Sequence, residues 1–365
     1  MKKILSILIA VICILSSFSI IGCGGNDGRC AQCSSFEETI SYKQVKGKKQ
    51  VNKGYACKVC GIITSPEETI NADYVVNSVN ELSVAQAQAE TKGVDSVILV
   101  TAGEYNVAKI IERTRGKTRI IFETGVDIFA IDVASGAYNT ILENAHFYSE
   151  PGPKSVLGGV RFLDGNVRDE TGQTIYCDIT VRNCSFKGHT NIARTWLPGM
   201  LENLTVEGCD FKDVTNDYYD DDGNYVQGSL FASVFLSETD GTTTIRNNTF
   251  NDTEFGCVYI GYRYDPNKTD RAASGTIIIE NNYFGEFHYK GPSAIPGAVT
   301  VVANNYCEVY IENNIFNNVK GVEFNYYQRV TKETTYFEVL KNKWNVIPET
   351  IENADYYDMD EQELI

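Results

Sequence analysis

Positive charge is what this chain lacks most. Its 365 residues carry 32 Lys and Arg against 48 Asp and Glu, a formal net charge of −16. A surface of that sign repels phosphate backbones, which excludes nucleic acid as a partner. It also disfavours polyanionic glycans unless a local basic cleft or a bridging cation intervenes. Proline is scarce, at eight residues, while 43% of the chain is hydrophobic and 11% aromatic, so the composition is that of an ordered globular protein, not a disordered one. No acid precedes Asp27. No Leu-x-Leu register recurs, which excludes leucine-rich repeats.

The acid-free start holds Lys2 and Lys3, then an apolar stretch from Ile4 to Ile21 interrupted by serines. This is the pattern of a secretory signal, although its length also suits an uncleaved anchor helix. Ile20-Ile21-Gly22-Cys23 resembles the bacterial lipobox. The resemblance implies removal of residues 1–22, lipidation of Cys23, and an extracytoplasmic protein anchored to a membrane at the cell surface. Loss of Lys2 and Lys3 takes the net charge to −18 (30 − 48). Residues 23–29, glycine-rich, read as a flexible tether.

Eleven cysteines are present. Cys30-Ala-Gln-Cys33 and Cys57-Lys-Val-Cys60-Gly61 form two CxxC pairs with 23 residues between them. That spacing suits a tetrahedral Cys₄ zinc site, and the Gly after the second pair permits a tight turn around the sulfurs. Residues 30–70 resemble a zinc ribbon, with a polar hairpin between the pairs; so small a segment needs a staple to fold. Disulfides across the pairs are an alternative in an exported protein, and a redox CxxC is a third. Cys177, Cys184, Cys209, Cys257 and Cys307 fall in strand-like runs and read as buried small hydrophobes.

From residue 71 the character changes. Val79 to Thr91 reads as one amphipathic helix, followed by an apolar strand at Val94 to Val100. Seven segments then recur, among them Ile179-Thr-Val-Arg-Asn-Cys-Ser-Phe186, Thr243-Thr-Ile-Arg-Asn-Asn-Thr-Phe250 and Val309-Tyr-Ile-Glu-Asn-Asn-Ile-Phe316. Each alternates apolar residues, passes a small polar turn and ends on an aromatic. The alternation buries one face of a strand. The first Asn tolerates a left-handed backbone, and the second falls in a column Ala145, Cys184, Cys209, Asn248, Asn282, Asn314, Asn342, whose last four members predict an asparagine ladder. The closing aromatics lie 39, 25, 39, 34, 32 and 28 residues apart, one repeat each with loops of varying length. A helix, an apolar strand, a Gly-x-Tyr turn and such stacked repeats resemble pectin-lyase-like domains. The resemblance implies an all-β fold, a right-handed parallel β-helix (a single-stranded solenoid) with an N-terminal capping helix, over residues 71–345. Residues 346–365 read as an acidic, solubilising tail.

Each repeat holds a second strand after its aromatic, such as Gly159 to Leu163, Gly256 to Ile260 and Gly321 to Asn325. Long loops leave these strands, so this face is where function is expected. Alternation turns Arg161, Tyr259 and Glu323 outward; Arg194, Trp196, Tyr262, Arg263, Tyr326 and Arg329 lie in the same region. Aromatics beside Arg suit sugar rings, whose apolar faces stack while hydroxyls bond the charged groups. Asp217, Asp220, Asp221 and Asp222 crowd one loop and are a candidate Ca²⁺ site, although the spacing misses the EF-hand pattern. The resemblance also admits lyases and hydrolases. The chain lacks the Asn-Thr-Asp…Asp-Asp…Gly-His-Gly…Arg-Ile-Lys series of polygalacturonases and the Arg-x-Pro-x-x-Arg of a pectate lyase group; Gly188-His189 stands alone. The expected function is therefore polysaccharide binding. Its enzymatic version is a lyase on uronate-containing glycan, with Arg263, Arg329 or Glu323 as the catalytic candidates. A non-catalytic adhesin or spacer contacting protein is the alternative.

Overall fold

The computed structural model describes residues 36–365 apart from 58, 112, 114, 135, 163–176, 195–200, 229–231, 238, 255, 262–272, 287–296, 318–320 and 327–333. The chain divides between Asn71 and Ala72. In the first unit Phe36–Gln44 and Gln50–Cys57 pair as an antiparallel hairpin, and Glu68–Asn71 adds a third antiparallel strand. Tyr42 and Val51 are its fully buried side chains. Cys57 closes the second strand and is itself buried. Its carbonyl accepts from Gly61 N (2.8 Å) and its N–H donates to Ile62 O (3.1 Å), with Gly61 at φ 68°. The glycine is needed there because a side chain disfavours that left-handed backbone.

The second unit is built mainly of parallel strands, with one α-helix among the described residues. The helix α1 (Val79–Lys92) starts where expected, because Ser78 accepts from Glu81 N (3.3 Å) and Glu81 reaches back to Asn77 N (2.9 Å). Gly93, at φ 66°, ends it. Leu82, Ala85 and Ala89 are buried, and Gln86 bonds Lys109 O (2.9 Å) and Ile111 N (3.2 Å), groups at the edge of the strand Val107–Ile110.

The strands fall into three parallel ladders in register. The first runs from Tyr74–Ser78 through Asp178–Arg182 and Thr242–Arg246 to Thr335–Leu340. Its inward column Ile98, Ile120, Leu142, Val181, Val206, Ile245, Ile279, Ile311, Val339 is fully buried. The second runs from Val107–Ile110 through Gly158–Phe162 and Gly256–Ile260 to Val322–Tyr326. The long strand Val299–Glu312 serves both ladders, its first half in the second and its last half in the first. The third carries the aromatics that close the repeats. Phe147, Phe186, Phe211, Phe250, Phe284, Phe316 and Trp344 stack with ring centroids 4.3–5.2 Å apart and planes within 16°.

The turns between first and third ladders follow the repeat. Asn144, Asn183, Asn247, Asn281 and Asn313 all have φ between 51° and 59°, with Gly208 (62°) and Lys341 (51°) at the equivalent places. The next residue forms the column. Asn248, Asn282 and Asn314 each offer Oδ1 to the main-chain N–H of the rung before, and so does Asn342 to Asn314. Each Nδ2 bonds a strand carbonyl of that earlier rung. Cys184 and Cys209 continue the column as thiols; Cys209 Sγ lies 3.6 Å from Val181 O. Burial pushes the thiols of Cys209, Cys257 and Cys307 up, so they stay protonated and inert.

Residues 346–365 are not a free tail. Tyr356–Tyr357 pairs with Glu338 and Val339 in the first ladder, and Glu363–Leu364 pairs with Lys343 and Trp344 in the third. Gln362 takes the place of a further Asn: its Oε1 accepts from Asn342 N (3.0 Å) and its Nε2 reaches Val339 O (3.2 Å). The acids are exposed, but the segment completes one more repeat.

Candidate functional site

On the second ladder the register collects Lys109, Asp132, Arg161, Ala193, Phe235, Tyr259, Thr300 and Glu323 into one outward column. Arg161, Tyr259 and Glu323 therefore share a face, as alternation predicts. Their surroundings differ from the expectation. Arg161 is committed to Asp132 (Nε–Oδ1 2.6 Å). Tyr259 is 8% exposed and packs with Ala232, Phe235 and Val302, so its ring is not open for stacking. Tyr326 ends the strand Val322–Tyr326; its ring sits 5.5 Å from Phe337 and packs against the core, so it too is not open for stacking. Arg194 closes the strand Thr190–Arg194 in register with Leu236. Trp196, Tyr262, Arg263 and Arg329 lie outside the described residues, as do Cys23, Cys30 and Cys33.

The aspartate loop is a small hairpin, Tyr218–Tyr219 against Tyr225–Val226. Asp217 accepts from Gly228 N (2.7 Å) and from the Tyr225 hydroxyl. Asp220 accepts from Asn224 N (2.8 Å) and Asn224 Nδ2 (3.2 Å), and from Asp222 N (3.0 Å), which holds its carboxyl below the usual range. These carboxylates thus serve the hairpin's own donors. Among the described residues no three His, Cys, Asp or Glu gather as metal ligands. Beside the hairpin, Ser155 Oγ lies 2.7 Å from both His189 Nδ1 and Asn216 Oδ1. Burial lowers the His189 pKa, so the imidazole is neutral at pH 7.

A different surface stands open, on the outward side of the first ladder. In its N-terminal part the outward residues alternate in charge. Fully buried Glu143 is paired by Arg119 and Arg182, and Arg246 lies 2.7 Å from Glu207 and 4.0 Å from Glu280. The alternation then breaks, because Glu280 is in register with Glu312. The next strands place Glu308 beside Tyr336, Tyr310 beside Glu338, and Glu338 beside Tyr356. Beneath them Val309, Ile311, Phe337 and Val339 are fully buried, so the strand period sets these five acidic and aromatic side chains outward.

The result is a checkerboard of rings and carboxylates. The Tyr310 and Tyr336 rings lie 5.9 Å apart at 52°. Tyr310 donates to Glu308 (3.3 Å), Tyr336 to Glu338 (2.6 Å) and Tyr356 to Glu361 (3.4 Å). The bond to Glu338, helped by desolvation, pushes the Tyr336 phenol up to about 12. Burial, with the charges of Glu338 and Glu280, raises the Glu312 carboxyl. Chemically this face offers apolar ring surface bordered by hydrogen-bond acceptors. The signal for it is Glu308-x-Tyr310-x-Glu312 and Tyr336-x-Glu338, alternating with apolar residues; strand register is what joins the two.

No protein-family model, curated protein or solved structure matches this chain.

Proposed function

We propose that this protein is a lipid-anchored surface protein that binds polysaccharide on the Tyr310–Tyr336–Glu338 face. The observation that carries the reading is that pair of tyrosine rings on adjacent strands, each phenol fixed by its own glutamate. Sugar rings present C–H faces for stacking and hydroxyls for donation, and both needs are met here. The acids bordering the rings favour neutral or amino-bearing sugars and oppose a uronate chain. Lyase action would have to draw on Arg263 or Arg329.

In this reading residues 72–365 form a right-handed parallel β-helix of the pectin-lyase-like kind. The three in-register parallel ladders and the strand Val299–Glu312 shared by two of them support it. Cys23 carries the lipid, and Cys57 and Cys60 form half of a zinc site completed by Cys30 and Cys33. The buried Cys57 in its Gly61 turn fits such a site.

A glycan array with the signal-free chain tests the function. Binding of neutral or amino-bearing glycans is expected, with Tyr310→Ala plus Tyr336→Ala lowering it at least tenfold while the melting temperature holds. A chain that retains no glycan, or a double variant that binds as well as wild type, would sink the reading and favour an adhesin that contacts protein. Absorbance of unsaturated uronate on incubation with acidic glycans would show lyase activity instead.

A further inference from the structure

The outward charge column of the first ladder stops alternating at one rung. Glu143, Arg182, Glu207, Arg246 and Glu280 stand opposite one another in turn on successive strands. Each carboxylate there has a guanidinium beside it: Glu143 pairs with Arg182, and Arg246 lies 2.7 Å from Glu207 and 4.0 Å from Glu280. The pattern calls for a cation on the next strand. The chain puts Glu312 there instead, followed by Leu340. Like charges directly opposite one another on a ladder destabilise it. Glu338, on the following strand, adds to the same field, and Lys341, in the turn beyond it, offsets part of it. Among the described residues no Lys or Arg forms an ion pair with Glu308, Glu312 or Glu338. The negative field is thus concentrated where the Tyr310 and Tyr336 rings lie 5.9 Å apart.

We propose that the polysaccharide taken by this face is a hexosamine polymer with free amino groups, whose ammonium completes the charge column beside Glu312. The inference rests on the reading that the face binds polysaccharide, and it names the class of sugar. Tyr310 and Glu312 are alternate residues of one strand, about 6.6 Å apart along it. A pyranose lying on the Tyr310 ring therefore extends an amino substituent toward Glu312, while a ring on Tyr336 meets Glu308 from the neighbouring strand and Glu338 from its own. An ammonium brings three N–H donors and a charge, and so meets both needs of the carboxylates; an N-acetyl group brings one N–H and no charge. A neutral hexose leaves Glu280 and Glu312 facing each other as before, and a uronate adds a further like charge. The tyrosine faces also attract a cation. Burial, then the charges of Glu338 and Glu280, raises the Glu312 carboxyl, and a bound ammonium opposes the second of these causes.

The test measures binding of a glucosamine hexamer and of its N-acetylated counterpart to the signal-free chain by calorimetry, in mildly acidic buffer that keeps the amines charged. The amino form is expected to bind at least about tenfold more tightly. Added salt should weaken that binding and leave the N-acetylated form unaffected. Glu312→Gln should bring the two hexamers within about threefold of each other. Glu312→Arg, which continues the alternation with the chain's own cation, should reverse the preference and raise the melting temperature. Asp127→Asn removes the same charge from an exposed site on the third ladder and is the control, in which the preference should stay. Equal binding of the two hexamers by the wild-type chain, or an undiminished preference in Glu312→Gln, overturns the inference. Binding of N-acetylated or neutral glycans would then leave the polysaccharide reading standing, whereas a chain that retains no glycan at all loses both. Retention of oligolysine without retention of the glucosamine hexamer also overturns it, and would make the face a site for basic peptide.

Discussion

Asn314 Oδ1 accepts from both donors of Asn282, its main-chain N–H at 2.9 Å and its Nδ2 at 3.0 Å. Its own Nδ2 donates to Ile279 O at 2.9 Å. All these groups are buried, so water cannot replace a lost partner.

Asn314→Ala should therefore be costly. It orphans the Asn282 N–H and leaves Ile279 O short of a donor, and each buried unsatisfied group costs about 1–3 kcal/mol. Urea unfolding should show a loss of roughly 3 kcal/mol. A loss below that of a half-buried control such as Asn317→Ala, whose amide donates to the Tyr283 hydroxyl, would mean that the column is decorative.

Glu312 gives a prediction in pH. Burial, then the charges of Glu338 and Glu280, raise its carboxyl above the ordinary value of 4.5 in the folded chain. A raised carboxyl means the folded state binds the proton more tightly than the unfolded one, so this group's contribution to stability falls as pH rises from 4.5 through the raised value. Glu312→Gln, which cannot charge, should raise the melting temperature at pH 7 and make little difference at about pH 4. Equal gains at both pH values would locate the effect in packing instead.

The cysteine pairs predict metal content. The signal-free chain should hold about one zinc, and Cys57→Ser should lose it together with the first unit's resistance to proteolysis. Native material with Cys30 and Cys57 joined as a disulfide and free of metal would overturn the zinc-ribbon reading.

Much of the second unit was legible because repetition amplifies weak signals. One Asn in a turn is common, but Asn144, Asn183, Asn247, Asn281 and Asn313 at one register position point to a single backbone conformation, and the structure has it. The closing repeat was hidden for the converse reason. Gln362 reaches the amide position with one more methylene, and Tyr356–Tyr357 lacks the apolar alternation, so the segment reads as acid-rich surface. For the site, alternation told which way Tyr259 faces but not what lies over it. Its burial against Phe235 and Val302 comes from packing between strands far apart in the chain. The Tyr310–Tyr336 face, likewise, exists only once the strand at 335–340 is laid beside the one at 299–312.

The amide column also has a direction in time. Each rung's main-chain N–H is satisfied by the rung that follows it in the chain, from Cys209 through Asn248, Asn282, Asn314 and Asn342 to Gln362. A chain emerging amino end first therefore always has one exposed donor at its growing edge, a sticky end that only the next repeat can close. Until residue 362 has appeared the N–H of Asn342 lacks its acceptor, and any pause in synthesis leaves that edge available to another unfinished copy.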